Sequence, residues 1–460
     1  MFLIEKILNI KKIYYKLILI LSFIISWTSI GTHYTNLLIF TSNEGVSLVE
    51  VINFIRITAI LFFFPILCIM LFTNISQYKR ANINPYLALF IPLLCLLSQI
   101  PGLFYTPNSL WNILYVLSAI NILITLNLII LNFENDELYF IIFVTFYLLL
   151  IVFFISFKQD ITRYINSGHL FYGRVNYIIG DSHIRSSGTS RIALILLIIY
   201  LIFFVKFFRY KILQIIPLIF FCAAIILYQS RASIGLATIF ITLNYLILEK
   251  YTLITFFKYL LIYFVMPTLL TFLILSLQIK QLDKFIGIDY SNIEGAQEKI
   301  DQEKIDPDYN MFIETDVIIL KNKLRFFKPD QINSSSGRME DWKAIIYNFD
   351  YNNNLFFGYG AQGDRYLINQ TASNALMYVF VSSGFVGLVF FTIITLKSSI
   401  QIMKYIFFNK QKISIYYFSF IIMIIILIRS LIETSYSLFS VDFILFYTAF
   451  ILMQRNESLK

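Results

Sequence analysis

Long apolar runs broken by short polar stretches organise this chain. The runs lie near residues 15–31, 51–73, 85–104, 110–131, 138–157, 191–208, 212–228, 231–248, 253–277, 376–396, 413–431 and 436–453. A helix needs about 20 predominantly apolar residues to cross a hydrocarbon layer of roughly 30 Å. The pattern therefore predicts an all-α polytopic membrane protein with about 12 transmembrane helices. The eighth run is short and amphipathic, so eleven spans also satisfy the pattern. Two polar stretches are too long to be turns, a lesser one at 158–190 and a large one at 278–375. The expected organisation is thus 1–277 with helices 1–9 and an outer loop at 158–190, then 278–375 as one large loop, then 376–460 with helices 10–12.

Basic residues fix the expected orientation, because loops that stay in the cytoplasm accumulate Lys and Arg. One set of loops holds Lys6, Lys11, Lys12 and Lys16; Lys79 and Arg80; Lys206, Arg209 and Lys211; Lys250; Lys397, Lys404, Lys410 and Lys412; and Arg455 and Lys460. The opposite short loops near 31–50 and 105–109 hold none. Both termini are therefore expected in the cytoplasm, with 158–190 and 278–375 outside. The first run ends without a small-residue cleavage site, so it is expected to stay as a signal-anchor helix.

Composition agrees. Of the 460 residues 58% are hydrophobic and 14% charged, where a soluble domain carries about a quarter charged. The net charge of +9 follows the loops and argues for topology, with no nucleic-acid partner. Cys68, Cys95 and Cys222 all sit inside apolar runs and read as small core residues. The arginines add a second pattern. Ten of the thirteen lie outside or near outer helix ends: Arg56, Arg163, Arg174, Arg185, Arg191, Arg231, Arg325, Arg338, Arg365 and Arg429. The positive-inside tendency does not separate Arg from Lys. A planar, permanently charged fork that grips phosphate or carboxylate at two points gives a reason for the sorting.

Several polar clusters are candidates for chemistry. In Ser334-Ser-Ser-Gly-Arg338-Met-Glu-Asp-Trp342 the start of a capped helix would offer amides and a guanidinium to an anion. The same residues also describe an interfacial helix with a surface Arg and a Trp at headgroup depth. Gly358 and Gly360 suggest a tight turn, and Ser373-Asn374 sits at the rim just before the tenth helix. Gly384 and Gly387, one turn apart in that helix, read as a packing face. An earlier cluster holds Arg174, Asp181, His183, Arg185, Ser186-Ser-Gly188 and Arg191; another is Gln229-Ser230-Arg231. Arg429 and Glu433 stand i,i+4 at a helix end before Asp442, a functional pair by default at membrane depth or mutual neutralisation. His33, His169 and His183 lack metal-ligand spacing. Asp306-Pro307-Asp308 reads as a solvated turn rather than a metal motif.

These residues resemble the O-antigen ligase/polymerase superfamily. The resemblance is carried by Ser336 to Trp342, the Gly358-Tyr-Gly360 turn, the pair before Gly384-x-x-Gly387, Arg429–Glu433 followed by Asp442, and a large loop between the ninth and tenth helices. Ligases of the family resemble one another in a His before Asn, Ser or Gln, nine residues ahead of G-x-x-G. Here Asn374 fits, but Ser373 holds the His position, which shifts the expectation from ligase to polymerase.

The resemblance implies glycosyl transfer without metal or other cofactor, at the periplasmic face of a bacterial cytoplasmic membrane. The partners implied are undecaprenyl-pyrophosphate-linked glycans and the lipid bilayer, with a chain-length regulator as a further one. Diphosphate or glycan would fall to Arg338, Arg231 and Arg191, then Arg185 and Arg429. Glu433 would act as base or Arg-orienter, ahead of Glu340 and Asp341, with Trp342, Gly358, Gly360, Ser373 and Asn374 forming loop and rim. Three alternatives stay open: a ligase acting on lipid A-core or protein, a lipid-linked oligosaccharide flippase, and a dolichol-sugar type transferase using Glu44 or Glu50 as its acid.

Overall fold

The computed structural model describes residues 13–26, 48–81, 83–105, 109–167, 186–228, 230–248, 253–274, 338–361, 363–368, 372–408, 415–431, 433 and 441–457. The described residues are mainly helical, without a strand among them. A helix lies over each of the twelve apolar runs. They are α1 (Ile13–Ser26), α2 (Leu48–Arg80), α3 (Ile91–Leu97), α4 (Ser109–Asn132), α5 (Asn135–Ser167), α6 (Ser186–Ile199), α7 (Lys211–Leu227), α8 (Arg231–Leu248) and α9 (Leu253–Leu260). Three short helices follow, α10 (Arg338–Asn348), α11 (Tyr351–Asn354) and α12 (Gly363–Ile368), then α13 (Ala375–Phe408), α14 (Ile415–Ser430) and α15 (Val441–Glu457). Among the described residues five segments are long and apolar enough to cross a membrane: Ala59–Arg80, Tyr86–Phe104, Asn135–Thr162, Phe256–Ile274 and Ala375–Phe407. Shorter apolar helices accompany them, as in a polytopic membrane protein.

Burial shows where lipid belongs. On α5 the residues Phe140, Val144, Leu148, Ile151 and Ile155 recur every three or four positions and are all exposed. In water such an apolar stripe would be an aggregation surface; in a bilayer it is the lipid face. On α4, by contrast, Val116, Ile120, Leu123, Asn127 and Ile130 are all buried.

The chain divides into two compact units. The first comprises Met1–Val144, Ile178–Ser182 and Gly337–Lys460, and the second Thr145–Tyr177 and His183–Ser336. In the first unit α4 is packed by α2, α3 and α15, and α13 packs on α3 and α14. Some of its core polar groups are paired across helices, which offsets the cost of burial away from water. Tyr78 Oη donates to Asn127 Oδ1 at 2.9 Å, and Asn127 Nδ2 to the Ala88 carbonyl at 3.2 Å. One end of the unit carries a basic cluster. Lys16 pairs with Glu137, and Arg455 donates to the carbonyls of Ile130 and Phe133. In the second unit α6 packs on α7 and α8.

Several boundaries differ from the sequence reading. α5 continues ten residues beyond the expected 157, because Lys158–Ser167 are polar but still helix-compatible. The third run is not one regular helix: a π-helical turn, Tyr86–Phe90, precedes α3, and a 3-10 turn, Pro101–Tyr105, follows it. Of the large loop, 338–361, 363–368 and 372–375 are described and include three short helices; 278–337, 362 and 369–371 lie outside the described residues.

Candidate functional site

The centre of the first unit is a break in α13. At Gly384 the backbone takes φ +61°, ψ −158°, a region essentially reserved for glycine. In a continuous helix the amides of Phe385 and Val386 would donate to the carbonyls of Val381 and Ser382. Both rungs are missing, and both are replaced from one segment upstream. Tyr359 N donates to Val381 O at 2.7 Å and Gly360 N to Ser382 O at 2.9 Å. Phe385 N donates to Leu355 O at 2.8 Å and Val386 N to Phe356 O at 3.1 Å. Residues 355–360 thus plug the break and leave none of its four polar groups unpaired. Irregular backbone within an apolar helix is tolerable only when satisfied in this way.

The plug turns on Gly358 and Gly360, both at positive φ, as the expected tight turn requires. A Cβ on Gly358 would strike the Val381 carbonyl, and one on Gly384 the backbone of Phe356. The expectation that Gly384 and Gly387 form a helix-packing face is corrected in part. Gly384 is not helical and receives the plug, because it supplies the backbone angles at the break. Gly387 does meet another helix's end: the Cys95 thiol points at its carbonyl, at 3.7 Å.

A chain of contacts runs from α10 to the ends of α13, α14 and α15. Trp342 Nε1 donates to Ala372 O at 2.7 Å, and Ala372 N donates to Asp364 Oδ2 at 2.8 Å. Asp364 is buried, and desolvation pushes its carboxyl above the ordinary carboxylate range against the pull of its backbone donors. Ser373 follows in the left-handed region at φ 52°. Asn374 then caps α13, accepting from Met377 N at 3.1 Å, and donates to Leu431 O at the end of α14 at 3.0 Å. Two residues earlier, Arg429 binds Glu433 at 2.6 Å and stands 3.4 Å from Asp442 at the start of α15. Asp442 and Arg455 bracket α15, so this cluster and the basic end lie about 20 Å apart along one helix.

The expected site residues take different places in this frame. Arg429 is 3% exposed, its guanidinium engaged by two carboxylates, so it joins α14 to α15 and presents no open fork to a diphosphate. Glu433 makes the contact of an Arg-orienter. Arg338, first residue of α10, is half-buried, with no hydrogen-bond or ion-pair partner among the described residues. Trp342 holds Ala372 while remaining half-buried. Arg185, Arg174, Asp181 and all three histidines lie outside the described residues, as do Glu44, Gln229 and Asp306-Pro307-Asp308. The side chains of Glu50 and Glu340 also fall outside the description. Among the described residues no cluster of His, Cys, Asp and Glu has metal-binding geometry.

Arg191 and Arg231 belong to the second unit. Ser190 and Ser233 hydrogen-bond at 2.9 Å, which brings the starts of α6 and α8 together with their arginines; Arg231 is exposed and Arg191 half-buried. Beside them lies a group that the sequence reading missed. Asp160 on α5 is buried and accepts from Tyr228 Oη at 2.7 Å, while Ser156 and Thr189 are 3.3 Å apart. An acid within an apolar helix is a functional candidate by default. The signal was present in Lys158-Gln-Asp160, but ending the fifth span at 157 placed it in a loop.

No protein-family model, curated protein or solved structure matches the chain.

Proposed function

We propose that the chain is a membrane polymerase that joins lipid-linked oligosaccharide repeat units by glycosyl transfer outside the cytoplasmic membrane. One observation carries the reading. Described parts of four sequence motifs, Trp342, Gly358–Gly360, 374–387 and Arg429 with Glu433 and Asp442, meet in a single hydrogen-bonded assembly at the end of the first unit opposite its basic cluster. Arg338, without a hydrogen-bond or ion-pair partner among the described residues, stands at a helix start beside this assembly.

In the proposed reaction an acceptor sugar hydroxyl forms a bond to the donor's anomeric carbon, and the bond from that carbon to the undecaprenyl diphosphate breaks. The hydroxyl proton leaves to a base or to the departing diphosphate. Diphosphate is already a good leaving group, so the protein's task is to hold it and align the hydroxyl. Arg338 is assigned to the diphosphate, where charge develops as the bond breaks. Arg191 and Arg231, paired through Ser190–Ser233, are the next candidates for diphosphate or glycan. Glu433 is assigned to orient Arg429.

Two measurements test this. Loss of the gene is expected to leave surface glycan of a single repeat unit on a gel. Absence of any attached glycan would mean a ligase instead, and absence of outward-facing lipid-linked units a flippase. Arg338→Lys keeps the charge but loses the two-point grip. Single-turnover polymerisation is expected to fall about 10- to 100-fold; wild-type polymer length and yield would remove Arg338 from the chemistry.

A further inference from the structure

Beside the plug, an open cleft of about 310 Å³ is lined by Ile100, Pro101, Phe104, Asn353, Asn354 and Phe357. We infer that this cleft binds the ring of a neutral sugar. The inference rests on the glycosyl-transfer reading for its biological sense, though its evidence is local.

The lining supplies both halves of sugar recognition. Phe104 and Phe357 are exposed large aromatics, and an aromatic face carries negative charge density that attracts the slightly positive C–H face of a pyranose. Asn354 is 4% exposed, and its Oδ1 is buried without a hydrogen-bond donor among the described residues. A buried acceptor in that state calls for an O–H or N–H from outside the chain. The surrounding backbone is fixed. Asn354 N donates to Asp350 O and its carbonyl accepts from Gly358 N at 2.8 Å, while Asn353 Nδ2 is held by Asp350 Oδ2 at 2.7 Å. Across the cleft, Gly102 lets the 3-10 turn lie directly against the plug, since a Cβ there would strike Gly358 and Gly360. The backbone that carries Asn354 is therefore held in place on both sides of the cleft.

The lining also argues against other occupants. It contains no Lys or Arg, so it offers nothing to a diphosphate. An acyl or polyprenyl chain would cover the aromatics but leave the Asn354 oxygen unsatisfied. A volume near 300 Å³ sits at the lower end for small-molecule sites and suits a ring rather than a chain.

Saturation-transfer NMR on the full chain in phospholipid nanodiscs tests the inference. The probes are the methyl α- and β-glycosides of glucose, galactose and N-acetylglucosamine. At least one is expected to receive saturation at its ring C–H protons. Phe104→Ala, at an exposed position where folding is undisturbed, is expected to weaken binding roughly 2- to 10-fold. Asn354→Leu is expected to weaken it about tenfold or more. Absence of signal from all six glycosides, or equal signal in wild type and both variants, overturns the inference. Should the variants lose glycoside binding while gene loss leaves the surface polymer unchanged, the sugar site stands and the polymerase reading falls. Should gene loss abolish the polymer while no glycoside binds, the sugar site alone falls.

Discussion

Among the described apolar helices that depart from regular hydrogen bonding, α6 and α13 recover it in opposite ways. α6 widens into a π-helical turn over Tyr200–Phe204, and Val205 N donates to Tyr200 O inside the same helix. The repair is local and asks nothing of the rest of the chain. α13 breaks outright at Gly384 and borrows four bonds from residues 355–360. A self-repaired helix is an independent element. A helix repaired from elsewhere is bound to its donor segment, so whatever acts on the plug acts on the helix. Discontinuous helices in transporters build binding sites from the same ingredients.

The comparison breaks most severely at Gly384. A valine there combines a β-branched residue at positive φ with a Cβ driven into the Phe356 backbone. Strain of about 1–3 kcal/mol adds to overpacking of about 1–3 kcal/mol, and the four borrowed bonds are endangered as well. Gly384→Val is expected to lower the melting temperature drastically or to yield no folded protein. If some folds, hydrogen exchange is expected to show lost protection at 355–360 and 381–386 with α6 unchanged. Uniform loss across both helices would refute the contrast.

Arg429→Met tests a second borrowed closure, at the end of α14. Removing the guanidinium takes the Arg429 countercharge away from buried Asp442 and from Glu433; breaking a buried pair in this way costs about 3–5 kcal/mol. Thermal melting in detergent is expected to drop sharply, and Arg429→Met with Asp442→Leu to recover part of the loss. A near-wild-type melting temperature for the single variant would mean that the cluster is not structural and would return Arg429 to the ligand-binding candidates.

What the sequence disclosed and withheld follows from the range of each interaction. Apolar periodicity is local, so a helix stands over every expected run. The turn at Gly358–Gly360 and the i,i+4 pair Arg429–Glu433 were legible for the same reason. The backbone groups that repair α13, two carbonyls and two amides, lie some 25 residues upstream, in a segment whose Leu355-Phe-Phe357 carries no mark of its partner. Gly384 was therefore legible as a glycine of consequence but not as a break. Asp160 was lost to a boundary: hydropathy ends at Phe157, whereas backbone hydrogen bonding runs on to Ser167. Asp364 looked like one more polar loop residue, because burial of a loop carboxylate depends on contacts that a single sequence does not display.

Asp364 also supplies the smallest expected effect, and the one that isolates borrowed closure from bulk packing. Its carboxyl accepts Arg365 N at 2.9 Å and Ala372 N at 2.8 Å, closing the loop that leads through Ser373 into the cap of α13. Desolvation raises its folded-state pKa above that of the unfolded chain. The folded state therefore holds the proton to higher pH than the unfolded state does, and stability falls as pH rises through that window. The contribution is fully present at or below the ordinary carboxylate range and is lost once the pH passes the raised value. Asp364→Asn keeps an acceptor for one amide and cannot ionise. Melting temperature followed from about pH 4 to about pH 8 is expected to decline with a shallower slope in the Asn variant than in wild type. Identical slopes would mean that the carboxyl titrates as it does in the unfolded chain. The loop's closure would then depend on Trp342 and the stacked ring pair Phe349–Phe380, centroids 4.7 Å apart, rather than on the buried acid.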